Sequence, residues 1–191
     1  MIYEIFGLPG SGKTTTLTYI AQNALKGRSV LGLGRYERVF TTFYCQGCFK
    51  IDFNDLKQYD FSNSLILIDE ISLYADNRQF KNFDTDFIYF FKLHRHYHID
   101  LIWCSQSYSD ADKKIRDVTD TVFLAERGLF GYTLLKRIYH NYSFSGRDIK
   151  DTYDIAPRIE WKRIKRSKYY KYFDSYSHKE LPMYDKKEVW K

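Results

Sequence analysis

Short apolar runs alternate along the chain with longer segments in which apolar residues recur at helical spacing. This alternation is typical of α/β proteins, in which strands and helices follow one another. The pattern predicts strands at 2–6, 29–33, 39–44, 49–53, 64–68, 99–104, 117–124 and 132–141. It predicts helices at 13–26, at 54–59 with Asn54 as the cap, at 84–94, and at 113–116 following a start signal at 109–112.

The run 64–68 carries four consecutive apolar residues, Leu65 to Ile68. A strand with no polar alternation is typical of a parallel sheet that is covered on both faces. We therefore expect an α/β fold with a mostly parallel central sheet flanked by helices. The turn residues Gln46 and Gly47 also predict a hairpin, with Cys45 opposite Cys48 and 49–53 as the return strand.

The segment 7–14 reads GLPGSGKT and fits the phosphate-loop pattern G-x-x-x-x-G-K-[ST] at every fixed position. It lies between a predicted strand and a predicted helix, which is the context that this motif requires. Glycines let backbone N–H groups turn toward phosphate oxygens, and the helix N-terminus adds partial positive charge. The predicted nucleotide-binding residues are Gly7, Pro9, Gly10, Ser11, Gly12, Lys13, Thr14 and Thr15. A P-loop NTPase that binds ATP with Mg²⁺ follows from this motif.

Polar residues end two of the predicted buried strands. Asp69 and Glu70 follow 64–68, and Gln106 follows 99–104. In a P-loop site, Asp69 and the Thr14 hydroxyl would hold Mg²⁺, and Glu70 would deprotonate a water molecule that attacks the γ-phosphate. Gln106 is the candidate for sensing the phosphate or placing that water.

The same loop would also suit a small-molecule or nucleoside kinase, or a nucleotide-switched protein that binds single-stranded nucleic acid. Kinases of this fold normally lack an apolar strand ending in Asp-Glu, and no Arg-rich lid is evident. The alternative of a nucleotide-switched protein is based on the C-terminal tail. Basic and aromatic residues interleave there, and such a strip can bind single strands by stacking and phosphate contact.

Charge divides the chain into two parts. Residues 157–191 hold 11 Lys and Arg against 5 Asp and Glu, which accounts for the whole net charge of +6. We predict an ATPase domain over 1–156 and a basic aromatic tail over 157–191. The tail packs on the core, contacts nucleic acid or an anionic membrane surface, or is only a solvated tail; these alternatives stay open. The apolar runs are shorter than a membrane span, and no signal peptide is evident, so we expect a cytoplasmic protein.

Cys45 and Cys48 form one C-x-x-C pair, and Cys104 lies in a predicted strand. A structural zinc site usually has four ligands, often from two such pairs. His94, His96 and His98 could complete a site in principle. Two reduced cysteines in a loop or strand pair are the alternative.

The chain resembles the ATPase domains of the zonular occludens toxin-like (Zot) family over nearly its whole length. Six segments carry this resemblance, in the family's order: 7–14, 65–70, 94–97 (His-Arg-His-Tyr), 105–106 (Ser-Gln), 112–117 (Asp-Lys-Lys-Ile-Arg-Asp) and 169–176. The phosphate loop alone is generic, whereas the order of the other segments is more specific.

The resemblance implies a RecA-like or FtsK–HerA-like ATPase core with an additional catalytic glutamate. It implies a role in assembling or exporting a phage that carries single-stranded DNA, with phage assembly proteins as partners. It also implies a homo-oligomer, such as a hexameric ring, in which a neighbouring subunit supplies an arginine. Arg95 and Arg116 are the candidates, with Arg116 slightly ahead of Arg78.

Membrane attachment is a separate expectation from the resemblance. The family's ATPase domain normally precedes a transmembrane helix, and this sequence reaches Lys191 without one. We expect a cytoplasmic location, or one at the inner face of the host membrane through partners or through a C-terminal anchor beyond these residues.

Overall fold

The chain forms one nine-stranded sheet in a computed structural model that describes residues 1–74, 85–111, 113–145 and 148–174. The strands are β1 (Ile2–Phe6), β2 (Arg38–Thr41), β3 (Phe49–Lys50), β4 (Ser64–Ile68), β5 (Asp100–Ser105), β6 (Thr121–Arg127), β7 (Tyr132–Ser145), β8 (Asp148–Ile155) and β9 (Lys162–Lys165). The helices are α1 (Lys13–Ala24), α2 (Thr85–Leu93) and α3 (Lys113–Arg116). Short 3₁₀ helices lie at Phe53–Lys57, Ile71–Leu73, Leu129–Gly131, Arg158–Glu160, Arg166–Lys168 and Tyr170–Tyr172.

The strand order is β3-β2-β4-β5-β1-β6-β7-β8, with β9 also paired to β7. The pairs among strands β1 to β6 are parallel, and the pairs that involve β7 are antiparallel. This confirms the predicted α/β fold with a mostly parallel sheet. The antiparallel strands extend one side of the sheet beyond β1.

Helices cover both faces of the parallel strands, which explains the apolar run of β4. Leu65 and Leu67 pack in the cluster that includes Leu17 of α1. Ile66 and Ile68 point to the opposite face, into the cluster that includes Ile115 of α3. All five residues of β4 are therefore buried, as a strand between two helical layers requires.

The strand predicted at 29–33 is wrong. Its apolar residues Val30 and Leu33 are buried, but the segment turns instead of extending. Leu31 and Gly32 both have left-handed backbone conformations, with φ of 57° and 78°, and the N–H of Leu33 donates to the carbonyl of Val30. Extended pairing cannot continue through two left-handed residues.

The predicted hairpin around Cys45 and Cys48 is also wrong. Strand β3 lies parallel to β2, with Phe40 opposite Phe49, whereas a hairpin return strand would be antiparallel. Residues 42–48 form a longer loop that Gln22 of α1 holds through a 2.7 Å hydrogen bond to the carbonyl of Gln46.

Several element boundaries differ from the predicted ones. The short helix near 54–59 is a 3₁₀ helix, and its cap is Asp52, which accepts from the N–H of Asn54. Strand β6 begins later and extends further than the predicted 117–124. The predicted loop 77–83, Arg78, Asp112 and the tail from 175 onward lie outside the described residues. Among the helices that the structure describes, none has the length and apolarity needed to cross a bilayer.

Candidate nucleotide-binding site

The phosphate loop lies at the edge of the sheet where the parallel strands end. Residues 7–12 connect β1 to α1. Because β4 and β5 run parallel to β1 on one side, Asp69 and Gln106 emerge at the same edge as the loop. The sheet topology therefore brings together three segments that are far apart in sequence.

The loop has the backbone that its glycines permit. Gly10 and Gly12 have φ of 75° and 97°, in the left-handed region where a side chain is strained. A Cβ on Gly12 would lie 2.0 Å from Oγ1 of Thr133 in β7. Thr133 in turn donates a 2.9 Å hydrogen bond to the carbonyl of Ser11. Strand β7 thus supports the loop from behind, and only glycine fits at position 12.

Lys13 begins α1 and reaches back over the loop. Its Nζ lies 2.7 Å from the carbonyl oxygen of Gly7 and 3.4 Å from that of Leu8. An ammonium group has three N–H donors, so at least one remains to meet a phosphate oxygen. Together with the N-terminal N–H groups of α1, Lys13 gives this edge a positive potential that suits a polyphosphate.

Thr14 and Asp69 meet across the site. The Thr14 hydroxyl donates to Oδ2 of Asp69 over 2.7 Å. The backbone N–H of Asp69 donates in turn to the hydroxyl of Thr42, which helps to fix the strand end. A hydroxyl and a carboxylate in contact are oxygen donors of the kind that Mg²⁺ prefers, so this pair fits the predicted metal site.

Glu70 follows Asp69 in a left-handed conformation, with φ of 53° and ψ of 71°. A non-glycine residue in this region carries backbone strain, which is common at functional sites. The carboxylate accepts hydrogen bonds from the Ser72 hydroxyl at 2.7 Å and from Nε2 of Gln106 at 3.4 Å. The turn thus directs the Glu70 carboxylate toward the end of β5.

A cavity of about 980 Å³ connects these groups, near the upper end of the usual range for ligand pockets. Most of the predicted site residues line it: Pro9, Gly10, Gly12, Lys13, Thr14, Thr15, Asp69, Glu70 and Gln106. Gly7 and Ser11 belong to the same loop but do not line the cavity, and the Ser11 side chain is buried.

The two arginine candidates do not reach the cavity of their own chain. Arg95 forms an ion pair with Asp120. Asp120 accepts from the N–H of Ile2 and so lies at the opposite edge of the sheet, where β1 and β6 begin. Arg116 is half-buried beside the ring of Tyr108, with its guanidinium carbon 5.2 Å from the ring centroid.

Arg166, which belongs to no motif and was not among the predicted site residues, also lines the cavity. Its Nη1 donates to the carbonyl of Gly10 over 3.1 Å. It follows β9, which pairs with β7, so the described part of the tail packs on the core. In the sequence Arg166 is one basic residue among many, and no local signal distinguishes it.

Cys45 and Cys48 are both free thiols. Within the described ranges, no three His, Cys, Asp or Glu side chains are grouped closely enough to hold a metal ion. The buried Cys45 instead forms a β-bridge with Phe173 of the tail.

Comparisons with known proteins identify a family and a fold for this chain. The sequence profile of the family described as zonular occludens toxin (Zot) matches residues 47–180. The chain belongs to the Zot family. The match starts after the phosphate loop and includes β4, β5 and most of the tail.

Solved structures share the fold of this Zot-family chain. The N-terminal domain of zonular occludens toxin from Neisseria meningitidis is 18% identical, with a TM-score of 0.54, over 91% of this chain and 98% of that one. The genome-packaging NTPase B204 of Sulfolobus turreted icosahedral virus 2, in complex with ATP-gammaS, is 13% identical, with a TM-score of 0.52, over 78% and 95%. No curated protein sequence matches the chain. The fold is that of P-loop NTPases.

Proposed function

We propose that this Zot-family chain is a Mg²⁺-dependent ATPase that converts ATP to ADP and phosphate and assists the assembly, packaging or export of phage or mobile-element DNA. The observation that supports it best is the contact between Thr14 of the phosphate loop and Asp69, with Glu70 next to it. A phosphate loop, a metal-binding pair and a general base then occupy one cavity.

Each group of the loop has a part in binding. Backbone N–H groups of the loop and the Lys13 ammonium hold the phosphates, and Thr15 lies at the first turn of α1 beside them. Thr14 and Asp69 would hold Mg²⁺, and the chemistry supplied there would be neutralisation of the charge on the phosphate oxygens.

Glu70 and Gln106 act on the water. Glu70 accepts a proton from the attacking water, since its carboxylate faces the cavity from the strand end. Ser72 donates to one carboxylate oxygen and Gln106 to the other, and these contacts keep the carboxylate in position. The Gln106 amide, which is exposed, orients the same water from the end of β5.

The oligomer and the DNA partner belong to this proposal. Arg95 is exposed at the opposite edge of the sheet, so it would reach a nucleotide only in a ring that brings this edge against a neighbour's cavity. Arg116, being half-buried, would have to leave Tyr108 to do so. We propose a hexameric ring with single-stranded DNA and phage assembly proteins as partners. It would be cytoplasmic or held at the inner face of the host membrane.

Two features support nucleic acid as the partner. B204 of Sulfolobus turreted icosahedral virus 2, which shares the fold, is a genome-packaging NTPase. In this chain, strand β9 exposes Lys162, Arg163 and Lys165, and the Arg163 guanidinium carbon lies 4.9 Å from the ring centroid of Tyr132. Exposed cations beside aromatic rings suit phosphates and unpaired bases.

The test is ATP turnover by the purified chain with and without single-stranded DNA, compared with a double variant that carries Arg163→Gln and Lys165→Gln. We expect DNA to stimulate the wild type and to have a smaller effect on the double variant. Transfer of phosphate to a nucleoside in place of water would indicate a kinase. Nucleotide-dependent DNA binding without turnover would indicate a switch.

A further inference from the structure

The described tail crosses α1 beside the phosphate loop and is fixed at several points. At its start, β9 pairs with β7 and leads into Arg166. Tyr169 then packs edge-on against Tyr19 of α1, with centroids 5.5 Å apart. At its far end, the carbonyl of Tyr172 accepts a 2.8 Å hydrogen bond from the N–H of Gln46. We call residues 166–173 the strap.

The start of the strap and its far end lie on opposite sides of β1, because Tyr172 and Phe173 contact the loop that follows β2. Asp69 and Gln106 follow β4 and β5, which lie on one side of β1. Arg166 follows β9, which lies on the other side, beyond β6 and β7. A nucleotide whose terminal phosphate meets Asp69 and Glu70 therefore directs its nucleoside toward Arg166, at the start of the strap.

Arg166 is positioned for a ligand at that end. Its Cδ lies 3.2 Å from the point that a Cβ on Gly12 would occupy, so the side chain passes directly beside the loop. Nη1 is engaged by Gly10, while the buried Nε has no hydrogen-bond partner among the described residues. Because Nε is shielded from solvent, a ligand would meet the face and the Nη edge of this planar guanidinium, which can stack on a base and bond to a ribose at the same time.

Tyr170, four residues further along the strap, adds an aromatic surface to the same cavity. Its side chain is 55% exposed, with its ring centroid 6.2 Å from that of Phe173. Aromatic rings and guanidinium planes bind bases of any sequence by their faces.

We propose that the strap is the nucleoside subsite of this chain, in which Arg166 and Tyr170 bind the base and ribose of the nucleotide in cis. This rests on the proposed function, because it takes the Asp69 end of the cavity as the terminal-phosphate end. It separates two tasks within one site: the loop holds the phosphates, and the strap holds the nucleoside.

The experiment compares the affinities of Mg²⁺-ATP and inorganic tripolyphosphate, which has the phosphates without the nucleoside. Arg166→Ala and Tyr170→Ala are each expected to weaken ATP binding about tenfold and to leave tripolyphosphate binding within about twofold. Arg166→Lys should recover only part of the loss, because it lacks the planar group. Lys168→Ala, on the same 3₁₀ helix and exposed, is the matched control and should change neither affinity.

Tripolyphosphate binding also reports whether a variant still has an intact loop, so misfolding is recognised directly. Equal losses for ATP and tripolyphosphate in a correctly folded Arg166→Ala chain would make Arg166 a phosphate ligand and overturn the proposal. Unchanged ATP affinity in both variants would overturn it as well. A wild type that binds ATP but never hydrolyses it would refute the proposed activity, while the two affinities would still decide the role of the strap.

Discussion

The Thr14 hydroxyl donates a 2.7 Å hydrogen bond to the Asp69 carboxylate, and this contact joins the phosphate loop to the end of β4 across 55 residues of sequence. It places a hydroxyl oxygen and a carboxylate side by side. In the proposed function these two groups would hold Mg²⁺, and oxygen donors that already lie together need little reorganisation to do so.

The first prediction concerns this pair. Asp69→Asn removes the negative charge while keeping the shape, so more Mg²⁺ should be needed to support turnover, and the maximal rate should fall roughly a hundredfold. Thr14→Val should also lose activity, whereas Thr14→Ser keeps the hydroxyl and should retain most of it. Phosphate release measured over a Mg²⁺ titration checks both changes. An unchanged Mg²⁺ midpoint in Asp69→Asn would exclude Asp69 as a ligand.

The second prediction concerns the loop glycines. Gly12→Ala places a Cβ against Thr133, whereas nothing lies within 4 Å of the same position on Gly10. Both substitutions strain a left-handed residue by about 1–2 kcal/mol, and only Gly12→Ala adds roughly 1–3 kcal/mol of overpacking. Urea unfolding should therefore show a larger loss of stability for Gly12→Ala.

Thr133→Ala provides the control for this prediction. It removes the oxygen that a Cβ at position 12 would meet, at the cost of the hydrogen bond to the Ser11 carbonyl. The double variant should be more stable than the sum of the two single losses suggests. Additive losses would mean that the contact with Thr133 does not cause the effect.

The third prediction concerns Glu4, which is buried in β1 and accepts a 3.2 Å hydrogen bond from Ser105. Burial raises the pKa of its carboxyl from 4.5 to about 8, and Ser105 and Arg116 only partly oppose this. Between these values the folded chain keeps a proton that the unfolded chain has released. The contribution of Glu4 to the free energy of unfolding therefore falls as the pH rises from about 4.5 to about 8, and it is constant at higher pH.

Glu4→Gln should remove this dependence. Relative to the wild type, its free energy of unfolding should rise by as much as about 1.4 kcal/mol per pH unit within that range. Urea unfolding across the range from about pH 5 to about pH 8 measures the difference, with the exposed Glu37→Gln as the matched control. Parallel stability curves for wild type and Glu4→Gln would show that Glu4 is ionised in the folded chain.

Much of the fold follows from local pattern. The phosphate-loop motif predicts the β1–α1 unit, and the unbroken apolar run predicts β4 as an interior strand. Because parallel strands end at one edge, the positions of Asp69, Glu70 and Gln106 after two such strands also indicate a shared site. The apolar pattern of residues 29–33 predicts a strand that the structure does not have. Two consecutive residues there have left-handed backbone conformations, and they turn the chain.

The rest depends on pairing between distant segments. Arg166 reaches Gly10 only because β9 pairs with β7 in one particular register, with Thr133 opposite Ile164. No periodicity within the tail specifies that register. The same holds for the loop around Cys45, whose position depends on contacts with α1 and with the strap.

The most direct test of the central claim is phosphate release from Mg²⁺-ATP by the wild type, Glu70→Gln and Lys13→Ala, measured together with ATP affinity. Glu70→Gln should bind ATP within about threefold of the wild type and lose turnover by roughly a hundredfold or more, because the amide cannot accept the proton from water. Lys13→Ala should lose both binding and turnover. Turnover by Glu70→Gln at the wild-type rate would contradict the assignment of Glu70, and a wild-type rate no higher than that of Lys13→Ala would contradict ATP hydrolysis by this chain.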